Sequence, residues 1–443
     1  MNLTIDFSPY FKESFTQLHT MLKRGIRRWD LVFLIINSVI GAGIFGLPAK
    51  AFAMSGPYSL LAFGVCAVVM LVLILVFMEV SSRFDRTGGP YLYIKEAFGN
   101  LPAFAVGWVL MLTRLFSYAT LVNLLVIYMS FFSPVFQEEW MRILMIVGIT
   151  GVLTGINLLG IKDSTRTTNI LTVSKLVPLT LFIVIGLFFL NADAFDFSSP
   201  PPMPEFANSA LLLIFAFGGF EAGLVISGEV ENPRKNLPFA LMTGALIITV
   251  FYVLIQVVAI GTLPDLATSD KPLADAATRI MGFGGGLFIT IGAIVSILGT
   301  LNVQILSGSR LPFALSGSQQ FPKIFSFIHP RFRTPSVAVL FFSFLIIIVA
   351  TIWDFMGSLA ISVIARLLIY LLVCGALIRL RKSQPDADYY KLKFGIPLAI
   401  AGMAATIWLL SSTQLEEITD MALWTVLGFV IYGVHKILSK STT

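Results

Sequence analysis

The chain has 443 residues, of which 57% are hydrophobic and only 12% charged, with 30 Lys and Arg against 24 Asp and Glu for a net charge of +6. A mean hydropathy of +0.89 excludes an ordinary soluble domain, and apolar runs of about 20 residues, each long enough to cross a bilayer, recur along the whole length. The composition reads as one polytopic α-helical membrane domain embedded in lipid, and the basic excess sits in short loops that orient it, not in a nucleic-acid surface.

In chain order, residues 1–29 are polar and basic, lack the apolar core of a cleavable signal, and read as a cytoplasmic tail. Twelve spans are expected at about 30–55, 58–80, 101–132, 141–161, 168–190, 206–230, 239–262, 284–310, 335–353, 358–378, 395–412 and 421–438. The amphipathic stretch 87–100 reads as a loop helix between spans 2 and 3. Cys66 and Cys374 both fall inside spans, which argues against a disulfide-linked accessory subunit. His19, His329 and His435 lie in tails, loops or at a span end, so no metal site or histidine proton relay is expected. Basic residues cluster on alternate loops (Arg27 and Arg28, Arg83 and Arg86, Arg331 and Arg333, Arg379 and Arg381), while the intervening loops carry Glu138, Glu139, Asp265 and Asp270. That asymmetry places both termini in the cytoplasm of an inner or plasma membrane protein.

The most informative stretch is Ile40-Gly41-Ala42-Gly43-Ile44-Phe45-Gly46-Leu47-Pro48 in span 1. Three glycines and a proline in nine residues break a helix, and in lipid a break survives only where it lines a cavity or is covered by protein. Span 6 carries a second one, Phe215-Ala216-Phe217-Gly218-Gly219-Phe220-Glu221. It falls five spans after the first, an odd number, so the second unit enters from the opposite side. Residues 30–190 and 206–380 then form inverted repeats, each opening with a broken helix; 395–438 are two extra spans and 439–443 a short tail. A ligand between the breaks would meet N–H donors of Ala42, Gly43 and Ile44, and carbonyls of Val39, Ile40, Phe215 and Ala216, with Gly41 and Phe217 completing the two stretches. Donors suit a carboxylate and acceptors an ammonium, so the pattern points to an α-amino acid or related amine. The competing reading is close helix packing through small residues.

Ionisable residues inside spans are costly and mark function. Lys175 lies in span 5, either deep in the membrane or snorkelling to the interface. Glu221 begins the second half of span 6, where a half-helix N-terminus favours a carboxylate. By helix rise, Arg114 in span 3 and Arg366 in span 10 are expected in the outer half of the membrane. There they face the vestibule, pair with Glu221, or recognise an anionic substrate side chain. Lys50 adds a cation nearby, and Tyr118 and Asn123 either line the pocket or bind a neighbouring helix. Glu229, Glu231 and Arg234 are expected at the cytoplasmic mouth, as an inner gate or a solvated loop.

Taken together, Ile40–Phe45 with Ser55-Gly56-Pro57, Gly88-Gly89-Pro90-Tyr91 with Gly107-Trp108, Phe215–Glu221 with Gly228-Glu229, and the span-8 exit from Asn302 to Pro322 resemble the amino acid–polyamine–organocation transporters of LeuT-like fold. The resemblance covers nearly the whole chain. It implies secondary transport of amino acids by alternating access, with spans 1, 2, 6 and 7 rocking against spans 3, 4, 5 and 8. It further implies that Lys175 replaces the sodium ion of coupled relatives near Ser296, giving sodium-independent and proton-coupled transport without a cofactor, and that Phe215 closes over substrate. The family often has Ser where this chain has Ala42. An obligate exchanger of amino acids or amines is the alternative mechanism, and a non-transporting ligand sensor the alternative class. No catalytic group, nucleotide motif or selectivity filter is visible, so neither an enzyme nor a channel is expected.

Overall fold

Apolar runs punctuated by Gly and Pro fold into helices throughout the computed structural model, which describes residues 26–41, 43–84, 89–159, 165–225, 230–332, 334–384 and 389–441. The principal helices are α1 (Arg28–Val39), α2 (Gly43–Ser55), α3 (Ser59–Ser81), α4 (Pro90–Phe98), α5 (Asn100–Met129), α6 (Glu139–Leu159), α7 (Thr165–Gly186) and α8 (Met203–Phe217). They continue as α9 (Glu221–Val225), α10 (Pro233–Thr262), α11 (Pro272–Gly317), α12 (Ser336–Ile352), α13 (Phe355–Ser383), α14 (Gly395–Leu410) and α15 (Leu415–Ser441). Among the described residues there is no strand, only an isolated parallel bridge between Ile26 and Val230. Eight of the helical stretches found there are long and apolar enough to cross a membrane, and α8, α12 and α14 are shorter apolar helices.

The helices follow the hydropathy reading to within a few residues at most boundaries. The main departure is span 8, where α11 starts at Pro272 and carries a kink at Gly282, whose φ of +69° interrupts an otherwise continuous helix. The expected loop helix is α4, started by Pro90 and ended at Gly99. Burial separates an inner post from a lipid-facing rim. The apolar window of α5 is 89% buried and packs on α11, α12 and α13, whereas that of α15 is only 11% buried and presents Leu423, Val426 and Val430 outward. With no water in the hydrocarbon, such an outward face is the normal surface of a membrane protein.

The two ends of the bundle are closed differently. At the end carrying Asp270, a cavity of about 510 Å³ is lined by Lys50, Asn123, Glu139, Arg142, Asp270 and Asp354, and reaches down to Gly46, Leu124 and Phe355. Lys50 Nζ lies 3.1 Å from Asp270 Oδ1 across its rim. Arg142 holds one wall: it donates to Asn123 Oδ1 (2.7 Å), Ala350 O (3.2 Å), Thr351 O (2.9 Å) and both oxygens of Glu139. At the opposite end, Glu79 in the last turn of α3 is fully buried. It accepts from Arg381 Nε and Nη2, both at 2.6 Å, and from Leu392 N at 3.0 Å. Glu231 N donates to Ile26 O at 3.0 Å in the same region.

Candidate functional site

The glycines at positions 41 and 43 end α1 and let α2 restart on a shifted axis, so the last carbonyls of α1 have no intrahelical donor. They find two buried side chains instead. Lys175 Nζ, from the middle of α7, donates to Ile40 O at 2.9 Å and to Asn37 O at 3.1 Å. The Tyr252 hydroxyl, from α10, lies 3.2 Å from Val39 O and 2.9 Å from Ala216 O, with one proton for the two carbonyls. Lys175 is 3% exposed, so it caps a helix end inside the protein and does not snorkel. A cation at a helix C-terminus is favoured by the partial negative charge of the carbonyls collected there.

The second break lies slightly later than the sequence suggests. The helix α8 runs through Phe217, and the break occupies Gly218 to Phe220. Gly218 N donates to Phe215 O at 3.2 Å. Gly219 N donates to Glu221 Oε2 at 3.0 Å, and Tyr370 Oη lies 3.5 Å from the same oxygen. The carboxylate thus turns back onto the break just ahead of α9. Arg114 Nη1 donates to Gln304 Oε1 at 3.3 Å, and the Arg366 guanidinium carbon is 5.9 Å from the Phe215 ring centroid.

Arg114 is the fifteenth of the thirty residues of α5, and Arg366 the twelfth of the twenty-nine of α13. Arg366 sits beside the second break, against Gly218 and Phe215, and neither arginine lines the cavity at the Asp270 end.

The two breaks touch each other. A Cβ built at Gly43 would come within 2.8 Å of Ala216 Cα, so the start of α2 and the end of α8 approach as closely as backbones can. Ile40, Ile44, Phe215 and Phe217 are all buried around this contact. The carbonyls of Val39, Ile40, Phe215 and Ala216 therefore have partners within the protein in this conformation. Ala42 lies outside the described residues, as does Glu229; Arg234 is helical, but nothing is described of its side chain. Ser296 is buried, with its Oγ lacking a partner among the described residues. It is Thr300, one turn further along α11, that faces Gly41, at 3.6 Å from a Cβ built there.

Asn123 and Tyr118 both bind neighbouring helices. The Asn123 amide is held by Ala350 O, Trp353 O and Arg142, and Tyr118 Oη meets Thr150 Oγ1 at 3.1 Å. Cys66 reaches Ala210 O from within α3. Sequence reasoning missed Tyr252, Gln304, Tyr370 and Glu79. The first three are polar residues within apolar spans. For Glu79 a signal existed: an acid in the last turn of a span, with Arg83 one turn on and Arg381 at the end of another basic-ended span.

A buried cation thus stands at one break, a buried anion at the other, and a cavity reaches in as far as Gly46, with no metal-holding cluster among the described residues. Comparison with known proteins agrees. The family model described as amino acid permease matches residues 26–434. The serine/threonine exchanger SteT of Bacillus subtilis is 30% identical over 436 residues, covering 94% of this chain and 98% of its own. The human cystine/glutamate transporter is 31% identical over 408 residues, covering 88% and 80%. A solved structure of MhsT in complex with L-phenylalanine superposes with a TM-score of 0.65 over 88% of this chain and all of its own, at 14% identity, which establishes the LeuT-like fold. The chain belongs to the amino acid permease family of integral membrane proteins, and it is a transporter and not an enzyme.

Proposed function

We propose that this protein carries amino acids across the membrane by alternating access, holding the α-amino and α-carboxylate groups between the two breaks. The observation that carries this reading is the meeting of Gly43 with Ala216: two interrupted helices brought together at one buried level, next to Lys175 and Tyr252. Opening that contact by a small rotation frees the carbonyls of Val39 and Ala216 for an ammonium, and the N–H groups of Gly43 and Ile44 at the start of α2, with that of Ala42 before them in sequence, for a carboxylate. Phe215, 8% exposed, is placed to close over the ligand.

In this reading twelve spans cross the bilayer, with 30–190 and 206–380 as inverted repeats, 395–438 outside them, and the polar stretches 1–29 and 439–443 as tails. The basic Arg381 end and both termini face the cytoplasm, and the Asp270 cavity is the outer vestibule. The group of α1, α2, α3, α8, α9 and α10 rocks against α5, α6, α7 and α11. Lys175 stands where a sodium ion would bridge α1 and α11, so transport needs no sodium and no cofactor, and proton movement at Lys175 couples it. Exchange is the second reading, favoured by the exchanger named among the relatives.

Uptake of labelled amino acids into proteoliposomes tests these readings under three conditions: an inward proton gradient, a sodium gradient, and trans substrate alone. Proton-driven accumulation without sodium is expected. Flux only with trans substrate moves the assignment to exchange, sodium dependence overturns the role given to Lys175, and ligand binding without flux makes the protein a sensor.

A further inference from the structure

We propose that Arg366, with Arg114 nearby, forms an anion subsite that takes the side-chain carboxylate of an acidic amino acid; this deepens the transport reading above and rests on it. The first observation is a buried guanidinium with two unmet nitrogens. Arg366 is 4% exposed, yet its Nε and Nη1 are buried with no hydrogen-bond partner among the described residues. Guanidinium stays charged in proteins, and either of these unmet N–H groups can donate to a carboxylate oxygen. Leaving such donors unmet is costly, which favours any ligand that supplies the missing oxygens.

The second observation is where the guanidinium sits. A Cβ built at Gly218 would overlap the Arg366 guanidinium, so the side chain occupies space that only a glycine at the break leaves free. It also lies over the ring of Phe215, the residue assigned to close on the ligand. The guanidinium therefore sits beside the second break, against the residue assigned to close on the ligand.

The third observation is the charge balance. Among the described residues, buried Lys175 and Arg366 and half-buried Arg114 stand around the two breaks with the buried carboxylate of Glu221. Glu221 is already committed, one of its oxygens accepting from Gly219 N and facing Tyr370. Arg114 spends one nitrogen on Gln304. A neutral zwitterion leaves the excess of two positive charges unchanged, a basic amino acid raises it, and an acidic one lowers it. In a low-dielectric interior this ranks acidic above neutral above basic substrates.

The test uses purified full-length protein and two isosteric pairs: L-glutamate with L-glutamine, and L-aspartate with L-asparagine. Ligand-induced thermal stabilisation reads binding, and proteoliposome uptake reads transport. The acid is expected to stabilise at roughly tenfold lower concentration than its amide and to compete correspondingly better for uptake. In Arg366→Gln that acid-to-amide ratio is expected to fall about tenfold, with partial recovery in Arg366→Lys. A merely structural arginine would lower affinity for acid and amide in the same proportion, and that result overturns the subsite. So does wild-type protein that binds the amide as well as the acid, a comparison that needs no variant to fold. Acid-selective stabilisation without flux overturns the transport reading and supports the subsite; flux of neutral amino acids without acid preference does the reverse.

Discussion

The two helix interruptions solve the same problem with opposite charges. At the first, the exposed ends are carbonyls of α1, and a lysine reaches in from α7. At the second, the exposed end is the start of α9, and a glutamate from that helix's first residue turns back onto Gly219 N. Each charge matches the sign of the helix end it caps. The difference lies in origin: the anion is local, two residues from its partner, while the cation comes from a helix 135 residues away. A local cap travels with its half-helix. A distant cap ties its half-helix to another element, so only the first break must change partners when α1 moves relative to α7.

Several substitutions would break or sharpen that contrast. The largest expected effect is at the local anion: Glu221→Ala removes the buried carboxylate that accepts from Gly219 N and faces Tyr370, and is expected to cost about 3 kcal/mol, read as a steep fall in melting temperature. A shift within about 0.5 kcal/mol of wild type would mean that Glu221 is solvated in a way its burial denies. Next is Lys175→Ala, which strips two charge-assisted hydrogen bonds; at about 1.5–3 kcal/mol for such a bond, uptake is expected to drop tenfold or more. Wild-type uptake with unchanged proton dependence in this variant would end the coupling role. Gly43→Ala pushes a methyl into Ala216 and is expected to destabilise by about 1–3 kcal/mol. If the variant instead gains uptake, the tight contact is a closed gate and not a structural seam. The smallest effect is expected for Tyr252→Phe, about 0.6 kcal/mol and below about 1.7. Because the hydroxyl touches both Val39 O and Ala216 O, this variant weakens both breaks at once, and a double-mutant cycle with Lys175→Ala measures their coupling.

Much of this was legible in the sequence because glycine and charge act locally. Gly41, Gly43, Gly218 and Gly219 mark the breaks, since no helix in lipid tolerates such clusters without a reason. Glu221 follows from the same logic, being the first acid after a break. What stayed hidden depends on the approach of distant segments. Nothing local to Tyr252 says that it meets Val39, 213 residues earlier, and nothing local to Gln304 says that it receives Arg114. The occupied carbonyls follow from the same limit: a sequence reveals which groups a break frees, but not which neighbours have already claimed them.

The wall around Arg142 has one further consequence. A single guanidinium stitches the start of α6 to α5 and to the last turn of α12, at three backbone or amide oxygens and a carboxylate. Such a joint has no slack, since every shift of one helix strains bonds to two others. Across the cavity, Lys50 and Asp270 meet through a single, largely water-exposed contact at 3.1 Å. The vestibule is thus a jaw with one fixed plate and one loose one. A molecule that wedges against the Lys50 side would stall the machine, while one gripping only the Arg142 side would ride on it as a passenger.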